Sequence, residues 1–262
     1  AAGILEPLIG LYSLPADPQS TFLKGGENGP ESVYEIQHSK GSNWWDWGYV
    51  PQGTEGNFGV IHHGIRGYSG PLYSSGWSFN VPTQDLVDAY SAGDKRKDVS
   101  ILDIEAWAAS TGAKYTTGYE HTGYFNNKYI PRAGESQAQQ ELNYETNFRY
   151  IRYADVLLMA AEANNRATAS NDTKAQNYLN QVRARAYGNN SNASSSTGST
   201  LTQEIWDERR LELAGEGHRF YDLVRTGQAA AEISGFVAGK HEVFPIPQTE
   251  IDVSNLTQNA GY

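Results

Sequence analysis

Cysteine is absent from this chain of 262 residues. No disulfide scaffold, thiol nucleophile or zinc–thiolate centre can therefore be built. Positive charge is scarce as well: 20 Lys and Arg stand against 30 Asp and Glu, a formal net charge of −10. Binding to a phosphate backbone needs a basic footprint, so nucleic acid is not an expected partner. No run of 18 apolar residues occurs, so no segment reads as a membrane-crossing helix. The first residues hold no basic stretch followed by an apolar one, and no secretory signal is read there. G-x-S-x-G, H-E-x-x-H and P-loop patterns are missing. Asp85, Asp88, Asp94 and Asp98 lack the spacing of a calcium loop. No cofactor is expected.

What the chain has instead is aromatic and glycine residues: 17 Tyr, 6 Trp and 27 Gly. Flat amphipathic rings offer large contact area at low entropy cost, which suits recognition of sugars or peptides. They concentrate in residues 41–80, where Trp44, Trp45, Trp47, Tyr49, Phe58, Tyr68, Tyr73, Trp77 and Phe79 stand among many glycines with no helical or strand period. A loop of that length is functional or disordered, and disordered segments are poor in aromatics. Sugar C–H faces stack on such rings while hydroxyls need amide, carboxylate or guanidinium partners. Asn43, Asp46, Asn57 and Arg66 supply them. The candidate ligand-binding residues are therefore Asn43, Trp44, Trp45, Asp46, Trp47, Arg66, Tyr68 and Tyr73.

Regular elements surround this loop. Ile4, Leu5, Leu8 and Ile9 predict a short helix ending at Gly10, and residues 31–37 alternate as a strand. Thr83 reads as the N-cap of a short helix reaching Tyr90. Residues 128–132 read as a short strand. Beyond 145 the texture turns helical, with apolar stripes over 149–168, 172–187 and 201–214 and a shorter helix over 218–226 that ends at Gly227. Asp172 or Thr173 is the expected cap of the second of these. Residues 188–200 form a polar loop, and Pro245 and Pro247 bar the last extended segment from a sheet centre. The hairpin at 149–187 is similar to one tetratricopeptide-type unit, without a following repeat.

These last elements carry a family resemblance. RYIRYADVLLMAAEA (149–163), LNQVRARA (179–186), IWDERRLELAGEGHRFYDLVRTG (205–227), FPIPQTEI (244–251) and LTQNAGY (256–262) resemble, in order and spacing, the closing motifs of the SusD/RagB family. ESVYEIQ (31–37) and GWSFNVPTQDLVDAY (76–90) are similar to family segments further upstream. Gly215 and Ala260 depart from the residues the family favours, Phe and Pro. The resemblance begins at a point like the middle of family members, which implies a C-terminal portion of a longer protein. It also implies a mainly α fold with long loops and a few short strands (α+β): an incomplete tetratricopeptide-type helical scaffold plus a loop-rich ligand-binding module. The expected organisation is a loop-rich, aromatic-rich module over 1–144 and a helical segment over 145–262, forming one structural unit.

The function the resemblance implies is non-catalytic capture of oligosaccharide or polysaccharide at the bacterial outer-membrane surface. The implied partner is a SusC-like TonB-dependent transporter, and contact with the membrane would run only through a lipid anchor that this chain does not carry. Two alternatives remain open: a peptide-binding, RagB-like interaction subunit, and a glycoside hydrolase using helix carboxylates. The second arises because Glu204, Glu208 and Glu212 share one helical face. Arg209 and Arg210 can pair with them, or with Asp155 and Glu162, and carboxylates so paired stay ionised. No catalytic residue is therefore assigned. Arg152, Arg183, Arg219 and Arg225 read as pins for helix ends. His62–His63 is the one pair of adjacent histidines; without patterned carboxylates it does not read as a metal site.

Overall fold

The computed structural model describes residues 1–41, 55–136 and 142–262. They form two compact units, Ala1–Glu216 and Gly217–Tyr262. Residue 144 lies inside the first.

In the first unit α1 (Ala2–Leu5) runs into a short 3-10 turn, and Gly10 closes it at φ +88°. There follow β1 (Ser32–Ile36), α2 (Gly59–His63), α3 (Gln84–Ala89), α4 (Arg96–Ser100), β2 (Ile101–Asp103), α5 (Ile104–Thr111), β3 (Tyr124–Asn126), β4 (Phe148–Arg152), α6 (Tyr153–Asn165), α7 (Asp172–Tyr187) and α8 (Gly198–Glu212). Two antiparallel ribbons form, β1 with β4 and β2 with β3. The fold is thus mostly helical with a few short strands, as the sequence suggests. Thr83 caps α3, its hydroxyl accepting from the Leu86 amide.

The main core lies where α6, α7 and α8 meet. Leu157, Leu158, Ala161, Leu179, Val182, Leu201 and Ile205 are all fully buried there. Each buried leucine, valine or isoleucine contributes about 1.5–3 kcal/mol. Asn165 ties the helix ends together: its amide donates to Asp172 and to the Gly198 carbonyl, and its carbonyl accepts from Thr202.

Three local expectations change. The helix predicted from 149 begins at Tyr153, because residues 148–152 pair with β1 and Arg152 is drawn into a buried ion cluster. The strand predicted at 128–132 lies instead at Tyr124–Asn126: Pro131 has no amide to donate, and Lys128 turns inward to Glu216. The cap of α7 is Asn171, which accepts from the Lys174 amide, while Asp172 accepts from the Gly198 amide.

The ion cluster joins Glu31, just before β1, to β4, α4, α7 and α8. Glu212 receives Arg152 at 2.5 Å and Arg96 at 3.3 Å, and Arg185 as well. Arg152 also reaches Glu31 and Glu216, each at 2.7 Å, and Lys128 meets Glu216. Burial works to raise the Glu212 carboxyl, but Arg185, Arg152, Arg96 and Lys128 outweigh it and hold it far below the usual range. Glu216 is lowered in the same way, against its burial, by Arg152 and Lys128.

The second unit contains α9 (Arg219–Arg225), α10 (Ala229–Glu232) and α11 (Gln248–Ser254). Gly227 follows α9 at φ +73°. The Gln258 side chain bonds both the amide and the carbonyl of Ile246, and the Tyr262 hydroxyl donates to the Val243 carbonyl. No helix among the described residues is long and apolar enough to cross a membrane.

Candidate functional site

The site grows from a crossing of two glycines. A side chain on Gly64 would meet the Gly76 Cα at 2.7 Å, so only glycine lets these backbones touch. Their approach lays residues 76–79 along the end of α2. The amides of Gly76, Trp77, Ser78 and Phe79 donate to the carbonyls of Ile65, Ile61, Gly64 and His62 at 2.8–3.0 Å. Ser78 and Asn80 both take positive φ, +60° and +51°. Non-glycine residues held in that region cost of order 1–3 kcal/mol each, and such strain collects at ligand sites. Here it alternates with Phe79 and leaves that ring 55% exposed.

A second segment builds the facing wall. Ser69 and Lys114 exchange backbone bonds, and the Thr116 amide donates to the Arg66 carbonyl. This carries the chain to Tyr119 and Glu120, the latter also at positive φ, +54°. Between the walls lies a hollow of about 290 Å³, lined by Arg66, Trp77, Phe79, Asn80, Tyr119 and Glu120 with Ser78 and Val81. Arg66 Nη2 donates to the Trp77 carbonyl at 2.7 Å, which pins the guanidinium along the wall. Residues that carry three aromatic rings, one amide, one carboxylate and one guanidinium therefore line one open cavity.

Arg66 is thus the candidate that the structure places in this hollow. Asn43, Trp44, Trp45, Asp46 and Trp47 lie outside the described residues. Tyr68 and Tyr73 differ from the expectation of ligand contact: both rings are buried against Ile65, Leu102, Ile104 and Phe125. The Tyr68 hydroxyl donates to the Pro71 carbonyl and accepts from the Trp107 indole, and that of Tyr73 donates to Asn127. Burial raises the Tyr73 phenol, with Arg132 opposing. They support the loop from beneath. Asn57 is structural too, donating to the Thr146 carbonyl and accepting from the Gly59 amide.

Sequence reasoning did not place Trp77, Phe79, Asn80, Tyr119 or Glu120 among the candidate ligand-binding residues. The available signal was the second Gly- and Tyr-rich stretch at 111–134, whose distance along the chain hides its nearness in space.

The helix carboxylates form no second site. Glu208 meets Arg96 at 2.5 Å and Arg183 at 2.8 Å, Glu204 meets Arg183 at 3.0 Å, and Arg209 meets Asp155 at 2.6 Å. Arg210 pairs with Asp85.

The fold of this chain, a helical hairpin scaffold carrying a loop-borne hollow, is similar to that of solved SusD-like proteins. A solved laminarin-binding SusD-like protein is 39% identical with a TM-score of 0.85, covering 100% of this chain and 58% of that one. Surface glycan-binding protein A from Bacteroides thetaiotaomicron in complex with laminarihexaose is 30% identical with a TM-score of 0.79, covering 98% of this chain and 58% of that one. The SusD family's sequence model matches residues 102–242. SusD-like protein P2 of Formosa agariphila is 34% identical over 225 residues, which are 76% of this chain and 43% of that protein. The chain belongs to the SusD family. It spans less than half the length of P2.

Proposed function

We propose that this chain binds oligosaccharide or polysaccharide without altering it, as the C-terminal part of a lipid-anchored protein at the outer-membrane surface that delivers glycan to a SusC-like TonB-dependent transporter. The observation that carries this reading is the open hollow in which Trp77, Phe79 and Tyr119 converge with Arg66, Asn80 and Glu120. Apolar sugar faces stack on rings, and hydroxyls find donors and acceptors on the same wall. Relatives described as binding laminarin and laminarihexaose make a β-glucan the first ligand to try. Trp44, Trp45 and Trp47, which lie outside the described residues, are further proposed ligand contacts.

A hydrolytic reading needs a carboxyl whose pKa is raised so that it can give up a proton. The helix glutamates are paired with arginines instead, and Glu212 and Glu216 are held low. Affinity electrophoresis and calorimetry with laminarin oligosaccharides test the proposal, alongside an assay for released reducing ends. Retardation without new reducing ends supports capture, and turnover sinks it. Binding to peptides in place of glycans would turn the reading to a RagB-like subunit. Unchanged retardation in Trp44→Ala, Trp45→Ala and Trp47→Ala would remove those three residues from the surface.

A further inference from the structure

α2 ends on two histidines that back the rim of the hollow from behind. The His62 ring stands 4.9 Å from Trp77 at an interplanar angle of 68° and 6.0 Å from Phe79 at 35°. Its own carbonyl accepts from the Phe79 amide at 2.8 Å. His63, the next residue, reaches the following rim position: its Nε2 lies 3.2 Å from Asn80 Nδ2. The two imidazoles thus brace the strained stretch 77–80.

The contact between His63 and Asn80 has a chemical polarity. A neutral imidazole that carries its proton on Nδ1 accepts at Nε2 an N–H from the Asn80 amide, which leaves the amide carbonyl to accept from a ligand hydroxyl. A protonated imidazole only donates. The amide must then turn over, giving its carbonyl to the ring and showing its NH₂ to the hollow instead. We propose that His63 is a positioning residue that sets which edge of the Asn80 amide faces the hollow, so that glycan capture weakens when the ring is protonated. The proposal rests on the reading of the hollow as the glycan site.

The surroundings favour the neutral ring. Burial pushes the His63 imidazole below its ordinary value, the Tyr129 backbone works the other way, and His62 on the same helix adds to the lowering. Arg66 and Glu120 are charged residues that line the hollow with Asn80. The neutral ring with its proton on Nδ1 is the acceptor in this contact.

The test follows the Asn80 side-chain amide by nitrogen–proton NMR in the free protein between pH ~7 and pH ~4.5, a window that brackets imidazole titration. Its resonances should move with the same midpoint as the His63 ring protons, and His63→Gln should abolish the movement. An amide that ignores the His63 titration overturns the proposal whether or not glycan binds. Calorimetry with laminarihexaose supplies the second readout. Wild-type affinity should fall about tenfold on acidification, the size of one lost hydrogen bond. His63→Gln should keep the neutral-pH affinity, since its carbonyl can still accept from Asn80, and should show no acid loss. His63→Leu, checked for folding by circular dichroism, should bind weakly at both ends. A wild-type pH profile in His63→Gln overturns the positioning role. Undiminished binding in Asn80→Ala, while the Asn80 amide of the wild type does track His63, instead sinks the assignment of the hollow.

Discussion

Arg152, the last residue of β4, donates to Glu212 at the end of α8 at 2.5 Å, across 60 positions of sequence. The same guanidinium reaches Glu31 and Glu216, so one side chain locks the strand ribbon onto the helical core. Both partners are almost fully removed from water. Buried charge is tolerable only where it is paired, and removing one member of such a pair leaves the other stranded.

Arg152→Ala and Glu212→Gln should therefore each lower stability by about 3–5 kcal/mol. Urea denaturation followed by circular dichroism reads the loss. Glu212→Gln leaves Arg96, Arg152 and Arg185 short of one shared carboxylate, so its loss should equal or exceed that of breaking an exposed pair such as Arg210–Asp85 many times over. An Arg210→Ala change should cost no more than about 1 kcal/mol.

The same carboxylates set the response to acid. Burial raises them, the arginines and Lys128 outweigh it, and both end below the ordinary glutamate value of 4.5. A group lowered in the folded chain binds protons more readily when unfolded. Its stabilisation is complete above 4.5 and drains away as the pH falls further toward the folded value. The melting temperature should stay level from pH ~7 down to about 5 and then fall steeply, with a smaller slope in Glu212→Gln.

The aromatic rim and its support should separate in mutagenesis. Phe79→Ala removes an exposed ring and should weaken laminarin-oligosaccharide binding by about tenfold to a hundredfold, as for a buried anchor in a binding site, with little change in melting temperature. Tyr73→Ala empties a buried position beneath the loop and should cost about 3–5 kcal/mol of stability. Calorimetry and thermal melts on the two variants check the contrast.

Gly76→Ala tests the glycine crossing. The added methyl would fall against the Gly64 backbone and the Ile61 carbonyl, neither of which is a flexible side-chain end. The loop must shift, so both stability and glycan affinity should drop, and the tryptophan emission should change through Trp77. An alanine at Gly3, where nothing lies within 4 Å, should change neither.

Local chemistry was readable from the sequence wherever neighbours along the chain decide the outcome. The Thr83 cap, the stop at Gly227, the strand at 32–36 and the apolar stripes of α6, α7 and α8 all follow from spacing and from side chains within a turn or two. The closing motifs also carried the family. Long-range pairing was decided elsewhere. Arg149–Arg152 continue the helical stripe on paper, yet β1 takes their backbone and Glu31, Glu212 and Glu216 take Arg152, so α6 starts four residues later than the pattern suggests. Tyr68 and Arg66 are two residues apart in a featureless aromatic loop. One is core and the other lines the hollow, because the Gly64–Gly76 contact and the Ser69–Lys114 pairing turn the chain between them. The sequence by itself determined most of the elements and the family. Which rings face water was decided only by the tertiary structure, since exposure depends on contacts between segments that no local pattern encodes.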